Sequence, residues 1–376
     1  MHILIAPNAF KNRLDASQVA LAIEEGLKQS NLQCTAELFP IADGGDGTGS
    51  LIVEKCKGTR VQVQVHDPLG RMIGSSFGLI DKGKTAVIEM ADASGLRLLR
   101  KEELNPMITS SYGTGELIKA ALDKGANKII IAMGGSATVD GGCGILSALG
   151  IKFLDKAGQQ LKPAPQELIR MASVDDSGVD KKIGGCEIVI LCDVNNKILG
   201  PDGAAAVFGP QKGATGEQVP LLEQFLENFA KISKQQTGRD MTVIKHGGAA
   251  GGATAGFYTW LNAKLVNGIE YFLQLTNFDE ALNRSNLVIT GEGSLDSQTL
   301  QGKGPYGVAV KAKEKGIKVI GLAGKIERSK ELQAYFNELI CVNEEPLDMT
   351  EAIKHTRENL TRVAKELGKM LTQHLK

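Results

Sequence analysis

Residues 128–144 read KIIIAMGGSATVDGGCG: an apolar run that breaks into five glycines and a single aspartate. The apolar part shows no alternation, so both of its faces are buried, as in a strand inside a parallel sheet. Glycine loses more backbone freedom on folding than any other residue, so a cluster of it signals tight turns or close approaches. The next stretch, ILSALGI at 145–151, can start a helix, and helix N-termini and nests of backbone N–H groups attract anions. The segment therefore reads as strand, glycine loop and helix, a piece of α/β architecture; taken alone, the loop is either a plain turn or an anion site. It is neither a Walker A loop, since it lacks GK[ST], nor a GxGxxG fingerprint.

The same pattern recurs outward from it. HILIA at 2–6, a second run around 35–39, EIVILC at 187–192, NLVIT at 286–290 and KVIGLA at 318–323 read as buried parallel strands. Amphipathic segments lie between them. Asp15 and Gln18 form a capping-box pattern, followed by Val19, Ile23 and Leu27 at helical spacing. ELIKAALDK at 116–124, closed by Gly125, reads the same way. Residues 59–90 differ: alternating VQVQV with turns at DPLG and DKGK predicts an antiparallel meander. The expected fold is α/β in two domains. Residues 1–58 with 286–376 make an outer, doubly wound parallel-sheet domain, flavodoxin- or Rossmann-like, interrupted by a mixed α/β domain over 59–285. The charged tail, 350–376, is expected to be a helix packed back on the outer domain.

The 376-residue chain suits two to three domains of about 100–200 residues each. Its 43 basic residues balance 43 acidic ones, and no basic stripe or acidic tail marks nucleic acid or a charged membrane as partner. A small molecule is the expected ligand, bound by a monomer or homodimer. Six cysteines are scattered without CxxC or paired His/Cys spacing, which speaks against a zinc site and a disulfide framework. The N-terminus lacks a basic lead, and no apolar run approaches the ~20 residues of a membrane span, so a cytoplasmic protein is expected.

Polar, glycine-rich segments stand directly after the strands, where open parallel sheets bind ligands. The first strand leads into PNAFKN with Lys11, and the second into IADGGDGTGS with Asp43 and Asp46. EIVILC leads into Asp193, and NLVIT into GEGSLDSQTLQGKG with Glu292, Asp296 and Lys303. Magnesium takes oxygen ligands and keeps some waters, so one or two carboxylates beside a nucleotide phosphate suffice; an Asp-Gly turn would carry the same letters as IADGGDGT. The glycines of the last segment would let amides approach a phosphate, or simply form a loop. HGGAAGGATAG at 246–256 suits close helix packing, and His246 suits a hydrogen-bonded loop position. Arg71 suits a hairpin end, and Phe257, Tyr258 and Trp260 suit core positions.

Ten segments run in collinear order from residue 7 to 303: PNAFKNRLDA, IADGGDGT, DPLGR, EMADASGL, SSYGTGELI, GGSATVDGGCG, CDVNN, VFGPQKGA, GGAAGG and ITGEGSLDSQTLQGK. Together they resemble the bacterial glycerate kinase family of the first type. The resemblance implies ATP-dependent, magnesium-requiring phosphorylation of D-glycerate, and two α/β domains with the active site in the cleft between them. Of the products reported across the family, 2-phosphoglycerate is expected here over 3-phosphoglycerate. The chain departs from the family pattern at Asn12 and Arg13 (usually Gly-Ser), Val139 (asparagine), Lys197 (proline) and His246 (glycine). The charged residues all stand, so these departures bear on substrate preference or rate more than on reaction class.

On this reading Asp43 and Asp46 hold Mg²⁺, with Asp193 or Asp296 as further ligands, and Lys11 and Lys303 neutralise phosphate charge. Arg71 clamps the glycerate carboxylate, Ser136 contacts substrate, and Asp140 faces substrate or metal. Gly134, Gly135, Gly291, Glu292 and Gly293 line the nucleotide. Asp193 accepts the proton of the acceptor hydroxyl, with Lys11 and Asp296 completing the catalytic set. The rivals are a kinase-like ligand-binding regulator without catalysis, a kinase of another small sugar acid, and a dinucleotide-dependent oxidoreductase. The last is disfavoured by the missing GxGxxG after the first strand.

Overall fold

The apolar runs without alternation form the inner strands of two sheets. In the computed structural model, residues 1–10, 13–343 and 355–374 are described. Along the chain the main elements are β1 (His2–Ile5), α1 (Ala16–Gln29), β2 (Thr35–Leu38), α2 (Thr48–Lys55), β3 (Thr59–His66), β4 (Met72–Ile80) and β5 (Thr85–Glu89). There follow α3 (Tyr112–Asp123), β6 (Lys128–Ala132), α4 (Cys143–Ala148), β7 (Lys152–Leu154), β8 (Ser173–Asp175), β9 (Glu187–Cys192), α5 (Gln218–Thr237), α6 (Ala253–Leu261) and β10 (Lys264–Asn267). The chain ends with α7 (Gly268–Leu275), α8 (Phe278–Asn283), β11 (Leu287–Leu295), α9 (Gly304–Glu314), β12 (Lys318–Ile326), β13 (Glu338–Cys341) and α10 (Thr356–His374). Two compact units result: Met1–Asp43 with Ile269–Lys376, and Gly44–Gly268.

The first unit holds a five-stranded sheet in the order β13-β12-β11-β1-β2, parallel throughout. Ile3, Leu4, Ile5, Val288 and Ile289 are completely buried, as central strands of a parallel sheet require. From β1 the chain moves to β2 on one side, while β11 pairs on the other. The seam between β1 and β11 is therefore a switch point, where such sheets take ligands beyond the strand ends. The capping box at the head of α1 is formed, with Gln18 N donating to Asp15 Oδ1 at 2.8 Å and Asp15 N to Gln18 Oε1 at 3.1 Å. The C-terminal helix α10 packs along α1. At Gly26 the two come so close that a Cβ would lie 2.6 Å from Ala364 Cβ. Of the expected tail helix, residues 350–354, 375 and 376 lie outside the described ones.

The second unit holds a six-stranded mixed sheet, order β10-β9-β6-β5-β4-β3, and a two-stranded ribbon of β7 and β8. The meander is there: β3 pairs with β4 and β4 with β5, both antiparallel. From β5 onward the pairing is parallel, through β6 and β9 to β10. One apolar core runs from Phe77 and Ile88 through Ile129, Ile131 and Ile190 to Phe225, Phe229 and Phe257. Val139, a departure from the family pattern, is completely buried in this core and so has no polar task.

The units divide at 43/44 and 268/269, whereas the sequence suggests borders near 58 and 286. Side-chain packing accounts for both offsets. Val53 of α2 fills the notch above Gly78 of β4, which ties α2 to the second unit. Phe278 of α8 meets Phe39 edge-on at 5.1 Å between ring centres, which ties α8 to the first. Among the described residues no helix is long and apolar enough to cross a membrane.

Candidate active site

The glycine loop after β6 is held from several directions. Gly134 N donates to Gly44 O at 3.2 Å, and a Cβ on Gly134 would sit 2.5 Å from Asp46 N, so only glycine lets the two loops meet. Leu96 N donates to Gly135 O, and Ala137 N to Ser94 O, both at 2.8 Å. HGGAAGG packs against the far side: Gly141 N donates to Gly251 O at 3.1 Å. His246 is a loop residue at φ +71°, with its Nδ1 2.6 Å from Val194 O.

Asp140 is 0% exposed. Its Oδ2 accepts hydrogen bonds from Ser111 N (2.8 Å), Ser111 Oγ (2.7 Å) and Gly144 N (3.1 Å), and its Oδ1 from Gly142 N (3.1 Å). Burial pushes its pKa up, and these donors pull it back down. The sequence aims this carboxylate at substrate or metal; in the fold it is turned into the protein, where it fixes the loop at the start of α4. Ser136 has an unforeseen partner. The ammonium of Lys212, from VFGPQKGA, is 2% exposed and donates to Ser136 Oγ at 2.9 Å and to Thr138 O at 2.7 Å.

Asp46 is half exposed and accepts from Arg97 Nη1 at 3.0 Å, while Arg97 Nη2 donates to Asp92. Burial, with Glu89 adding to it, pushes the Asp92 carboxyl up to about 6, and Arg97 pulls the other way. Glu89 is buried at the end of β5. It accepts from Gly47 N and Ser50 N, both at 2.8 Å, and so caps α2, whose own N-cap residue Gly47 has no side chain to do so. Arg71 ties its hairpin to the segment after β5: Nε donates to Asp67 Oδ2 (2.5 Å), Nη1 to Glu103 Oε1 (2.8 Å) and Nη2 to Leu98 O (3.4 Å). Asp193 follows β9 directly and is partly exposed; burial, then the charge of Asp193, raises the neighbouring Cys192 thiol to about 12.

In the first unit Asp43 is buried. Its Oδ2 accepts from Asn8 Nδ2 at 2.9 Å and from Gly304 N at 3.1 Å, so it caps α9, where the N-cap residue Lys303 makes no side-chain cap. Asn8 N donates to Gly291 O at 2.8 Å, which joins the exit of β1 to the middle of β11, a strand that runs on through the glycines the sequence reads as a loop. Glu292 accepts from Thr299 Oγ1 at 3.3 Å. Asp296 accepts from Gln298 N (2.8 Å), Thr299 N (3.3 Å) and Ser294 Oγ (3.1 Å), the pattern of a carboxylate that closes its own turn. Asn8, Asp43, Gly291, Glu292, Asp296 and the head of α9 are thereby one hydrogen-bonded network. Lys11 and Asn12 lie outside the described residues.

Among the described residues no three His, Cys, Asp or Glu side chains gather to hold a metal by themselves. A magnesium ion that keeps its waters and rides on nucleotide phosphates needs fewer, and one carboxylate with an oxygen to spare fits it. Asp43 has that form, since both of its hydrogen bonds fall on Oδ2.

Sequence reasoning missed Asn8, Glu89, Asp92, Arg97 and Lys212. Each lies in or beside a quoted motif; the partners of Asn8, Glu89 and Lys212 stand far away in sequence, and Arg97 joins its near neighbour Asp92 to the distant Asp46.

Comparison with known proteins adds to this geometry. The model of the glycerate kinase family matches residues 3–372. A glycerate kinase of Bacillus subtilis is 42% identical over 370 residues, covering 98% of this chain and 97% of that one. A glycerate 2-kinase of Escherichia coli is 38% identical over 377 residues, covering 99% and 98%. A crystal structure from Salmonella typhimurium LT2, of a protein provisionally named glycerate kinase 2, superposes with a TM-score of 0.84 at 39% identity, covering 100% and 99%.

Proposed function

The chain belongs to the glycerate kinase family and is a kinase, and we propose that it transfers the γ-phosphoryl group of ATP to the 2-hydroxyl of D-glycerate. The observation that carries this reading is where the motif segments fall. PNAFKNRLDA and IADGGDGT follow the carboxyl ends of β1 and β2 in the first unit, EMADASGL, GGSATVDGGCG and CDVNN stand at those of β5, β6 and β9 in the second, and ITGEGSLDSQTLQGK runs along the second half of β11 and beyond it. The reaction draws on residues at these exits.

The acceptor oxygen attacks phosphorus, the bond to ADP breaks, and the hydroxyl proton passes to Asp193 at the end of β9. Lys303 and Lys11 offset phosphate charge, and Gly135, Gly291 and Gly293 offer amides to the phosphates, with Gly134 letting the chain come close. Asp43 and Asp46 would hold a magnesium ion, which when bound spreads the charge of those phosphates. Glu292 is assigned to the nucleotide. Arg71, Asp140 and Asp296 have protein partners at their charged ends, and we assign them to shaping their loops. None of the six cysteines, all of them among the described residues, is in a disulfide, which fits a reducing compartment such as the cytoplasm.

The test is release of ADP from ATP and magnesium on addition of D-glycerate. Glycerate-dependent ADP is the expected result, and its absence would overturn the reading.

A further inference from the structure

Lys212 belongs to a single turn of 3-10 helix, Pro210–Lys212, and lies beneath the glycine loop with 2% of its surface exposed. Burying an ammonium is unfavourable unless charges and acceptors around it compensate, and an apolar side chain of similar volume often serves stability as well or better. The compensation here is two hydrogen bonds, to Ser136 Oγ at 2.9 Å and Thr138 O at 2.7 Å, and the charge of Asp140. That a cation is nevertheless kept under this loop points to work done on something outside it.

Ser136 shows what that work is. A serine hydroxyl has one proton to give and two lone pairs to receive with. The Lys212 ammonium has only protons to give, so it occupies a lone pair of Ser136 Oγ and turns the hydroxyl proton away from itself. Beside Ser136, Gly135 is exposed and Gly134 partly so. The loop thus offers one serine hydroxyl fixed as a donor, neighbouring backbone, and a buried positive charge close behind.

We propose that Lys212 is the positioning residue of an oxyanion receptor formed by Gly135 and Ser136. Its ligand is an anionic oxygen of a substrate, either the carboxylate of the hydroxy acid or a phosphate of the nucleotide. The proposal rests on the kinase reading above. Lys212 does not touch the ligand; it acts through the orientation of Ser136 and through its field.

Steady-state kinetics of wild type, Lys212→Met, Ser136→Ala and the double variant test this, with D-glycerate and ATP varied separately. Wild type without glycerate-dependent turnover is a failure of the kinase reading and shows before any variant is made. With wild type active, the expected result is a rise in KM of about tenfold or more for one substrate in Lys212→Met, with a smaller change in kcat. Ser136→Ala should raise the KM of the same substrate, and the double variant should be no worse than Lys212→Met, because both act through one hydroxyl. A rise for glycerate assigns the carboxylate, and a rise for ATP assigns the phosphate. A folded Lys212→Met with both KM values unchanged, or with both raised alike, overturns the proposal. So does additivity of the two substitutions. If Lys212→Met does not fold, Ser136→Ala decides: one raised KM sustains the receptor, and unchanged values overturn it.

Discussion

At the scale of single residues, the acids of the candidate site differ in burial. Asp193 stands at a strand end and is partly exposed, whereas Asp140 is sealed under four protein donors. Replacing Asp193 with asparagine is therefore expected to lower kcat by about a hundredfold or more while nucleotide affinity holds. A near-normal kcat in single-turnover and steady-state assays would remove Asp193 as the base. Lys212 gives a pH signature. Burial lowers its pKa from 10.5 to about 7 in the folded chain. Between those values the unfolded chain binds the extra proton, so this group's contribution to stability grows as pH rises through that window. Denaturant unfolding of wild type and Lys212→Met from pH 7 to 10 should show wild type gaining on the variant; parallel curves would contradict a buried, displaced lysine. The acids and glycines after the strands were legible as residue types but not in their tasks, since Asp43 also caps α9 and Asp140 fixes a loop. Lys212 was not, because its partners are more than seventy positions away. Asp296 misled for the opposite reason, since an aspartate before Gln298 and Thr299 serves a turn as readily as a reaction.

At the scale of elements, local signals decided what could be read. Unbroken apolar runs gave β1, β6, β9, β11 and β12, and the Asp15–Gln18 box gave the head of α1. The short strands β10 and β13 left no such pattern, being partly exposed at sheet edges. That the tail helix packs back on the first unit was legible from amphipathicity, but its partner α1 and the point of contact were not. Gly26 sets that point. Gly26→Ala adds a favourable helix former yet drives its Cβ into Ala364, so a net loss of about 1–3 kcal/mol is expected in denaturant unfolding. A gain in stability would mean that the two helices separate at little cost. Unit borders also escaped the sequence, because they follow Val53 on Gly78 and Phe278 on Phe39, contacts that no single segment announces.

At the scale of the whole molecule, the family match runs through both units, from residue 3 to 372. The fold's parts alone do not name a substrate, since doubly wound sheets serve many chemistries. What narrows the choice is the set of strand exits together with relatives that carry glycerate in their names. The central claim is the product. D-glycerate, ATP and magnesium should be turned over by the protein, with the product passed to enolase alone. Immediate conversion by enolase is predicted, because 2-phosphoglycerate is its direct substrate; conversion that begins only when a phosphoglycerate mutase is added would show phosphorylation at the 3-hydroxyl and contradict the account.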